Sequence, residues 1–433
     1  MGRITELFKT LLICLLTVTM VLLTLCFFVV TLSSDALSPE DLLYELTASS
    51  QAEKSDSDQT GTLPQTAAFP CQIAYVCGMG QLYMPISSQE YDDALDSTEQ
   101  FLEEAIASCS DYSKCTETDY ILSLLGQGIL WVYDYPLPFY MLSSWAEYSY
   151  SGKDITVSSI FVYSDSSAVN LLIKGSDGSY HRFMTQADEA YIARVCASVS
   201  PNGVISAMTN SGSTNGDVPI LSGGLSLPTY TLSTGYNSDD GEISRKAMTA
   251  LDINPYLSSV YRDGDATVYI EGSSRLHMYA DRHLSYSTAD ENGGVALPLA
   301  ADLSQKERLI AIVEGVRSIV FPLWESLSSP SVRLSLSTIE ETDDGLTVYF
   351  DAYIGGCYIS RGELPAAAAR IEDGKLVGLS IYPLSLQRKD YRSVIPYAQA
   401  QAAADSDAVL RVQYVLQEDM TVAPILADVK EGE

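Results

Sequence analysis

The feature that most constrains this chain is an uncharged run of 25 residues, TLLICLLTVTMVLLTLCFFVVTLSS, between Lys9 and Asp35. About 20 apolar residues are enough for a helix to cross the hydrocarbon core of a bilayer. A cleaved signal peptide has a shorter apolar region, of about 7 to 15 residues, and an A-x-A-like cleavage site. Neither property is present here. The sequence therefore predicts a retained transmembrane helix over residues 10–34.

The charges on either side of this run predict its orientation. Arg3 and Lys9 precede it, whereas Asp35, Glu40 and further acidic residues follow it. Positively charged flanks remain in the cytoplasm, and no second uncharged run of similar length returns the chain. We therefore expect a single-pass protein of the cell membrane. Residues 1–9 form a cytoplasmic N-terminus, and the bulk of the chain is extracellular.

The overall charge and the missing motifs narrow the function. The chain has 25 Lys and Arg against 56 Asp and Glu, a net charge of −31. Such a field repels phosphate backbones, which argues against nucleic-acid binding. The sequence lacks H-E-x-x-H, G-x-S-x-G, Walker and dinucleotide-binding motifs. We predict a protein that is not an enzyme and has no cofactor and no metal site.

Two kinds of residue that often carry chemistry have simpler interpretations here. His181, His277 and His283 lie in strand-like segments without metal-ligand spacing, which favours surface or hairpin positions. The acidic segments at residues 56–61 and 263–265 resemble calcium loops only in part. The first lacks the Glu that an EF-hand needs at its twelfth position, and the second is short enough to be a turn.

Six of the eight cysteines follow the predicted transmembrane helix, and an even number in an oxidising compartment suggests disulfides. The sequence allows 15 pairings of six cysteines. Proximity along the chain favours Cys71 with Cys77 and Cys109 with Cys115 as candidate disulfides. The alternative is a set of buried free thiols. No C-x-x-C is present to indicate a redox or zinc motif.

Changes in composition predict four parts beyond the transmembrane helix. Residues 35–65 are an extracytoplasmic helix and a polar linker. Residues 66–240 form a first α+β domain that ends in an irregular Ser/Gly-rich connection, followed by α+β domains over 241–330 and 331–433. The predicted fold class is α+β, in which two or three extracytoplasmic domains of antiparallel sheet pack with helices.

Local signals place several elements. Capping boxes at Ser87–Glu90 and Ser304–Glu307 start two helices, the first over 88–108, and Pro322 is expected to kink or end the second. A third helix is predicted over 186–198. Asp177-Gly178 and Asp373-Gly374 predict hairpin turns. Strands are predicted over 128–134, 155–163 and 169–174.

The aromatic stretch WVYDYPLPFYMLSSW, residues 131–145, has two interpretations. It can line a groove for a carbohydrate or a peptide. Core packing explains it equally well, because large aromatic side chains are usually highly buried.

The predicted transmembrane helix carries threonines at a constant interval of seven residues, at Thr10, Thr17, Thr24 and Thr31. Residues seven apart lie on one stripe of a helix. Such threonines can bond to their own helix carbonyls. Small polar side chains also line contacts between helices in membranes. The stripe is therefore a candidate interface with a partner helix.

Residues 250–287 resemble the YycH/YycI (WalH/WalI) family. The similarity lies in Asn254-Pro255-Tyr256, in the Tyr261, Gly264 and Val268-Tyr269 strand pattern, and in Leu284-Ser285-Tyr286. It extends to YFDAYIGG, AAAARIEDGKLVGLSIY and IPYAQAQAAA in the last domain. These motifs are structural turns and strands and carry no catalytic signature.

Members of that family are single-pass proteins of Gram-positive bacteria that restrain the cell-wall sensor kinase WalK. The resemblance implies a non-catalytic regulator of a two-component system, with a sensor histidine kinase of the WalK type and a paralogous regulator as partners. It would act by transmembrane-helix and outer-domain contacts. The alternative is an extracytoplasmic binding module for a wall polymer or peptide.

Overall fold

The computed structural model describes residues 67–79, 81–85, 87–150, 152–165, 168–202, 204–206, 219–221, 225–233, 241–289, 293–342, 345–362, 364–403, 410–417 and 419–428. The predicted transmembrane helix and the segment 35–65 lie outside these ranges. Within them, no helix combines the length and the apolar character needed to cross a membrane.

The first of two sheets is built from the N-terminal part of the described chain. Its nine strands pair antiparallel in the order β3-β7-β6-β5-β4-β1-β2-β8-β9. The strands are β1 (Gln72–Cys77), β2 (Leu82–Tyr83), β3 (Ser110–Cys115), β4 (Gln127–Pro138), β5 (Thr156–Ser164), β6 (Val169–Gly175), β7 (Tyr180–Thr185), β8 (Val204–Ser206) and β9 (Pro219–Leu221).

Four helices accompany this sheet: α1 (Ser88–Ala107), α2 (Glu117–Ser123), α3 (Phe139–Trp145) and α4 (Glu189–Ser198). Both faces of the sheet are covered. Ile73 of β1 belongs to a main core shared with the second sheet, whereas the adjacent Ala74 and Val76 belong to a smaller core with Tyr120 of α2. The continuous apolar run ILWVY in β4 follows from this double burial.

The second sheet holds the remaining fourteen strands. They are β10 (Leu225–Leu232), β11 (Ser259–Asp263), β12 (Ala266–Glu271), β13 (Ser274–Tyr279), β14 (Leu284–Thr288), β15 (Val295–Ala296), β16 (Val332–Thr342), β17 (Gly345–Ile354), β18 (Cys357–Ser360), β19 (Ala367–Glu372), β20 (Lys375–Ile381), β21 (Leu386–Val394), β22 (Leu410–Leu416) and β23 (Thr421–Asp428). The helices of this part are α5 (Gly241–Ala250), α6 (Gln305–Leu327) and α7 (Tyr397–Ala403).

The main path of this sheet runs β11-β12-β13-β14-β20-β19-β17-β18-β22-β23-β10-β21, with β15 paired to β20 and β16 to β17. Only the β18–β22 pair is parallel among the described pairs. Strand β14 from the predicted middle domain bonds directly to β20 from the predicted last domain. The sheet-rich α+β architecture is therefore as predicted, and the boundaries between the predicted domains stay predictions.

The local predictions agree closely with the observed elements. Ser87 and Ser304 both form complete capping boxes at the starts of α1 and α6. The hairpins at Asp177-Gly178 and Asp373-Gly374 join β6 to β7 and β19 to β20. Helix α4 begins at Glu189, three residues later than predicted, because the side chain of Asp188 caps it by accepting from the Ala190 N–H.

Pro322 was expected to kink or end α6, and it does not end the helix, which continues through it to Leu327. Proline removes the hydrogen bond to the carbonyl four residues earlier, which is that of Ser318. Both Pro322 and Ser318 are exposed, so water can bond to this carbonyl. Meanwhile Leu323, Trp324 and Leu327 are buried in the main core and stabilise the last turn.

Candidate interaction surface

The most exposed apolar surface among the described residues lies at one edge of the second sheet. All five residues of β11 are exposed, and the described pairs give this strand a single neighbour, β12. Val260 and Tyr261 are 57% and 45% exposed. An exposed edge strand presents unpaired backbone N–H and C=O groups to which another strand can bond.

The turn that precedes β11 adds two further exposed apolar side chains. Tyr256 is 89% exposed and Leu257 is 73% exposed. Asn254 holds this turn: its side chain accepts from the Tyr256 N–H at 2.9 Å, and its carbonyl accepts from the Ser258 N–H at 3.0 Å. These bonds fix the turn and leave Tyr256 and Leu257 outside the core.

A groove of about 410 Å³ lies between the start of α5 and the edge of the sheet. It is lined by Gly241 and Ser244 of α5 and by Val260, Tyr261, Arg262, Thr267 and Tyr269 of the two edge strands. Its wall therefore mixes two tyrosine rings with hydroxyls and one guanidinium. Such a lining suits a chain that is partly apolar and can form hydrogen bonds.

The charge around this edge differs from that of the whole chain. Residues 241–289 contain five Lys or Arg and six Asp or Glu, whereas the chain carries 25 and 56 and a net charge of −31. Nearly all of the negative charge lies elsewhere. Because like charges repel at an interface, this nearly neutral segment can receive an acidic partner at less cost than the strongly acidic parts of the chain.

Farther along the same sheet, His277, Tyr279, His283 and Tyr382 form a stack of rings. The ring centroids of Tyr279 and His283 are 4.7 Å apart, and those of His283 and Tyr382 are 4.1 Å apart. Burial lowers the pKa of His283, and the nearby Asp281 opposes this shift. A neutral imidazole stacked between two tyrosines stabilises this end of the sheet and gives no acid–base pair.

A second notable region is the junction between the two sheets. The carboxylate of Asp134 on β4 accepts a hydrogen bond from the Arg411 guanidinium on β22, and their side chains are only 14% and 16% exposed. Arg411 also lies 3.9 Å from the Cys71 sulfur. Burial, followed by the charge of Asp134, raises the pKa of the Cys71 thiol, which keeps it protonated.

Backbone and glycine contacts close this junction. The Leu336 N–H donates to the Ala67 carbonyl at 2.8 Å, and the Phe69 N–H donates to the Ser335 hydroxyl at 3.0 Å. A Cβ on Gly356 would lie 2.3 Å from the Cys71 carbonyl oxygen. The two sheets therefore approach so closely that this position accepts only glycine. The IGG of the YFDAYIGG motif supplies it.

The candidate disulfides Cys71–Cys77 and Cys109–Cys115 are not formed, and all six described cysteines are free thiols. Each pair lies at the two ends of one extended strand, β1 or β3. A rise of about 3.3 Å per residue separates residues six apart by about 20 Å, whereas a disulfide needs Cα atoms within about 7 Å. Proximity along the chain was therefore the wrong guide, because the intervening segment is a strand and not a loop.

The other candidate residues named from the sequence have different outcomes. Thr10, Thr17, Thr24 and Thr31 lie outside the described residues, so their stripe stays a prediction. Residues 263–265 form the β11–β12 turn, as predicted.

Trp131, Phe139 and Trp145 are buried, so packing explains most of the aromatic stretch. His181 is 1% exposed and bonds to Tyr112 and Ser179, so it is a buried hairpin residue.

Sequence reasoning located the Asn254-Pro255-Tyr256 turn but missed its exposure and that of Leu257 and Val260. One signal was available. The segment PYLSSVY places Tyr256, Leu257 and Val260 directly after Asn254-Pro255, a dipeptide that favours a turn over a continued buried element.

Comparison with known proteins gives a match in structure alone. No protein-family model matches the chain, and no curated protein matches it in sequence. The crystal structure of YycH from Bacillus subtilis superposes with a TM-score of 0.56 at 12% identity, covering 87% of this chain and 97% of that one. An uncharacterized protein from Eubacterium rectale has a TM-score of 0.28 at 11% identity, covering 48% and 79%. The similarity to YycH covers most of both chains, and it establishes that this chain has a YycH-like fold.

Proposed function

We propose that this protein is a non-catalytic regulator of a sensor histidine kinase of the WalK type, anchored in the cell membrane by residues 10–34. The observation that carries the proposal is the YycH-like fold over 87% of the chain. The N-terminus lies in the cytoplasm, and the two sheets lie outside the cell. Regulation proceeds through direct contact with the kinase, without a chemical step.

The outer contact uses the β11 edge. An extended segment from the outer part of the kinase adds to β11 by backbone hydrogen bonds, and its side chains cover Tyr256, Leu257 and Tyr261. Two observations support this occupant. The edge is exposed and apolar, and it lies in a nearly neutral segment of an acidic chain, where a partner strand meets little repulsion.

The inner contact uses the threonine stripe of the predicted transmembrane helix. Lipid is as apolar as leucine, so helices in a membrane associate through close packing and hydrogen bonds. Each threonine contact contributes about 0.6 kcal/mol. Four contacts reach about 2 kcal/mol, or about a thirtyfold change in association.

The test is co-expression of the full chain with the WalK-type kinase of the same organism, followed by co-purification in mild detergent and measurement of kinase autophosphorylation. We expect the wild-type chain to co-purify and to lower autophosphorylation. Replacing Thr10, Thr17, Thr24 and Thr31 with leucine preserves insertion and abundance and weakens co-purification. A wild-type chain that neither binds nor inhibits the kinase contradicts the proposal.

The topology has its own measurement. Single cysteines placed beyond residue 35 should react with an impermeant maleimide on intact cells, and those placed at residues 2–9 should react only after lysis. This scan uses a background in which the native cysteines are replaced by serine. Protection of the bulk of the chain on intact cells would place it inside and remove the proposed outer contact.

A binding module for a wall peptide is the second candidate, and the groove beside α5 favours it. Its volume of about 410 Å³ falls in the range of pockets that hold small ligands. Titration of the full chain with muropeptides separates the two functions. Two results together would favour the binding module. The first is saturable binding that Tyr269→Ala abolishes, and the second is kinase autophosphorylation that is the same with and without this protein.

A further inference from the structure

Two cysteines that lie 119 residues apart in sequence meet in the first sheet. Cys77 is the last residue of β1, and Cys196 lies in α4. The side chain of Cys77 packs against the main core, which includes Cys196. The Cys196 thiol donates to the carbonyl oxygen of Val76 at 3.3 Å, and Val76 immediately precedes Cys77. Each thiol lies close enough to influence the pKa of the other. The two thiols are therefore neighbours.

The fold holds both cysteines in place. Strand β1 is paired on both sides, and Val76 and Cys77 lie opposite Gly128 and Gln127 of β4. The Gly128 backbone bonds to the Cys196 sulfur. Ile192 is fully buried one turn before Cys196 and fixes the same face of α4 against the sheet. The strand and the helix therefore hold the two thiols on the same side of the first sheet.

Access distinguishes Cys77 from Cys71, whose thiol pKa is also raised by Cys357 nearby. Cys71 is enclosed at the junction, where its thiol donates to the Val132 carbonyl at 3.2 Å and Arg411 lies beside it. Cys77 is half-buried, so a small reagent can reach its sulfur. Cys196 is 6% exposed, behind Cys77. An attack would therefore begin at Cys77.

We propose that Cys77 and Cys196 are a redox-active dithiol that closes to a disulfide joining β1 to α4. The oxidant is a low-molecular-weight disulfide. The Cys77 thiolate attacks one sulfur of the reagent, forms a mixed disulfide and releases one thiol. The Cys196 thiolate then attacks the Cys77 sulfur and releases the second thiol. Two protein thiols are oxidised, the reagent disulfide is reduced to two thiols, and no other reactant is needed.

Two consequences follow, and neither rests on the proposed function. Burial raises the pKa of the Cys77 thiol, so exchange should be slow at neutral pH and faster in alkaline buffer, where more thiolate is present. The disulfide closes a loop of more than 100 residues, which raises the melting temperature of a chain of this size by about 6 °C.

The test treats the purified full chain with oxidised glutathione, blocks the remaining thiols and maps the peptides without reduction. Trypsin would leave Cys71, Cys77 and Cys109 in one peptide between Lys54 and Lys114. Digestion therefore uses chymotrypsin, which can cut after Tyr75 and separates Cys71 from Cys77. We expect a crosslink between Cys77 and Cys196, and a rise in melting temperature that dithiothreitol reverses.

The matched variants are Cys77→Ser and Cys196→Ser, each of which should abolish the crosslink and the rise in melting temperature. Cys109→Ser and Cys115→Ser serve as controls, and each should retain the crosslink and the rise in melting temperature. The peptide map of the oxidised wild-type chain tests the proposal even where a variant folds poorly, because it shows directly which cysteines are joined. A disulfide between Cys71 and Cys357, mixed disulfides alone, or a rise that persists in Cys77→Ser would overturn the proposal.

Discussion

The junction between the sheets and the β11 edge differ in burial: the junction encloses charged groups, whereas the edge exposes apolar ones. At the junction, the charged groups Asp134 and Arg411 are nearly enclosed, and Gly356 lets two backbones touch. At the edge, Tyr256 and Leu257 are exposed, and the backbone of β11 has one described neighbour. The junction therefore maintains the arrangement of the two sheets, whereas the edge is free to bind a partner. Substitutions should separate these roles, with large effects on stability at the junction and small ones at the edge.

The largest effect is expected from Gly356→Ala. Its Cβ would lie 2.3 Å from the Cys71 carbonyl oxygen and 2.6 Å from the Tyr91 ring, and the residue has φ +74°. Overpacking adds about 1 to 3 kcal/mol to a left-handed strain of about 1 to 2 kcal/mol. We expect the free energy of unfolding to fall by about 4 kcal/mol in a urea titration.

Gly362→Ala is the matched control for this substitution. Gly362 has a similar φ of +76°, but no atom lies within 4 Å of the added Cβ. Only the backbone strain applies, so the loss should be about 1 kcal/mol. Equal losses at the two glycines would show that the close approach of the sheets contributes nothing.

The next largest effect is expected from Arg411→Met. This change leaves the nearly enclosed Asp134 carboxylate without its guanidinium partner. Breaking a buried pair on one side costs about 3 kcal/mol, because the remaining charge stays desolvated. Lys246→Met removes an exposed pair with Glu242 on α5 and should cost less than about 0.5 kcal/mol. Similar losses in the two variants, measured by thermal or urea unfolding, would contradict the account of the junction.

A smaller effect at the junction depends on pH. Burial raises the pKa of Asp351, and hydrogen bonds from Tyr135 and Ser337 oppose the rise. The folded protein then binds the proton more tightly than the unfolded chain, so this stabilisation is complete below the unfolded pKa of about 3.9. It is lost as the pH rises through the native pKa. Relative to wild type, Asp351→Asn should therefore gain stability as the pH rises from about 4 to 7.

The control for this pH dependence has the opposite sign. Hydrogen bonds from the Thr421 backbone and side chain lower the pKa of the exposed Asp419. Its stabilisation is present above the unfolded pKa and is lost as the pH falls through the native pKa. Relative to wild type, Asp419→Asn should lose stability as the pH rises from about 2 to 5, because the change lies below the unfolded pKa of about 3.9. Urea midpoints at several pH values compare the two variants, and the same sign for both would refute the assignment.

The smallest effect on stability is expected at the edge. Tyr256→Ser combined with Leu257→Ser removes two exposed side chains. Each substitution should change the free energy of unfolding by less than about 0.5 kcal/mol. Kinase binding should nevertheless weaken by about tenfold, because exposed apolar anchors dominate contact energies. Leu122→Ser with Leu125→Ser changes exposed leucines near the first sheet and is the matched control. A loss of binding in the control alone would move the contact away from β11.

Local order was predictable from the sequence, and the distant contacts were not. The capping boxes at Ser87 and Ser304 and the hairpin at Asp373-Gly374 depend on residues only a few positions apart. Asp134 and Arg411 are 277 residues apart, and their pairing depends on how the two sheets pack. Nothing in the local pattern specifies it.

The same limit applies to the cysteines and to the candidate surface. Cys77 meets Cys196 because β1 separates Cys77 from Cys71 and α4 crosses its end. The turn at Asn254 was recognisable as a motif. The exposure of Leu257 depends on β11 being the last strand of the sheet, and strand order is a global property.

Hydrogen–deuterium exchange of the full chain, with and without the WalK-type kinase, tests the central claim most directly. If a kinase segment adds to β11, the backbone amides of Ser259–Asp263 that face away from β12 become hydrogen-bonded and their exchange slows. The amides of β1 and β4, already paired in the centre of the first sheet, should exchange at an unchanged rate. Unchanged exchange at residues 259–263, with protection appearing elsewhere in a chain that still binds the kinase, would contradict the account.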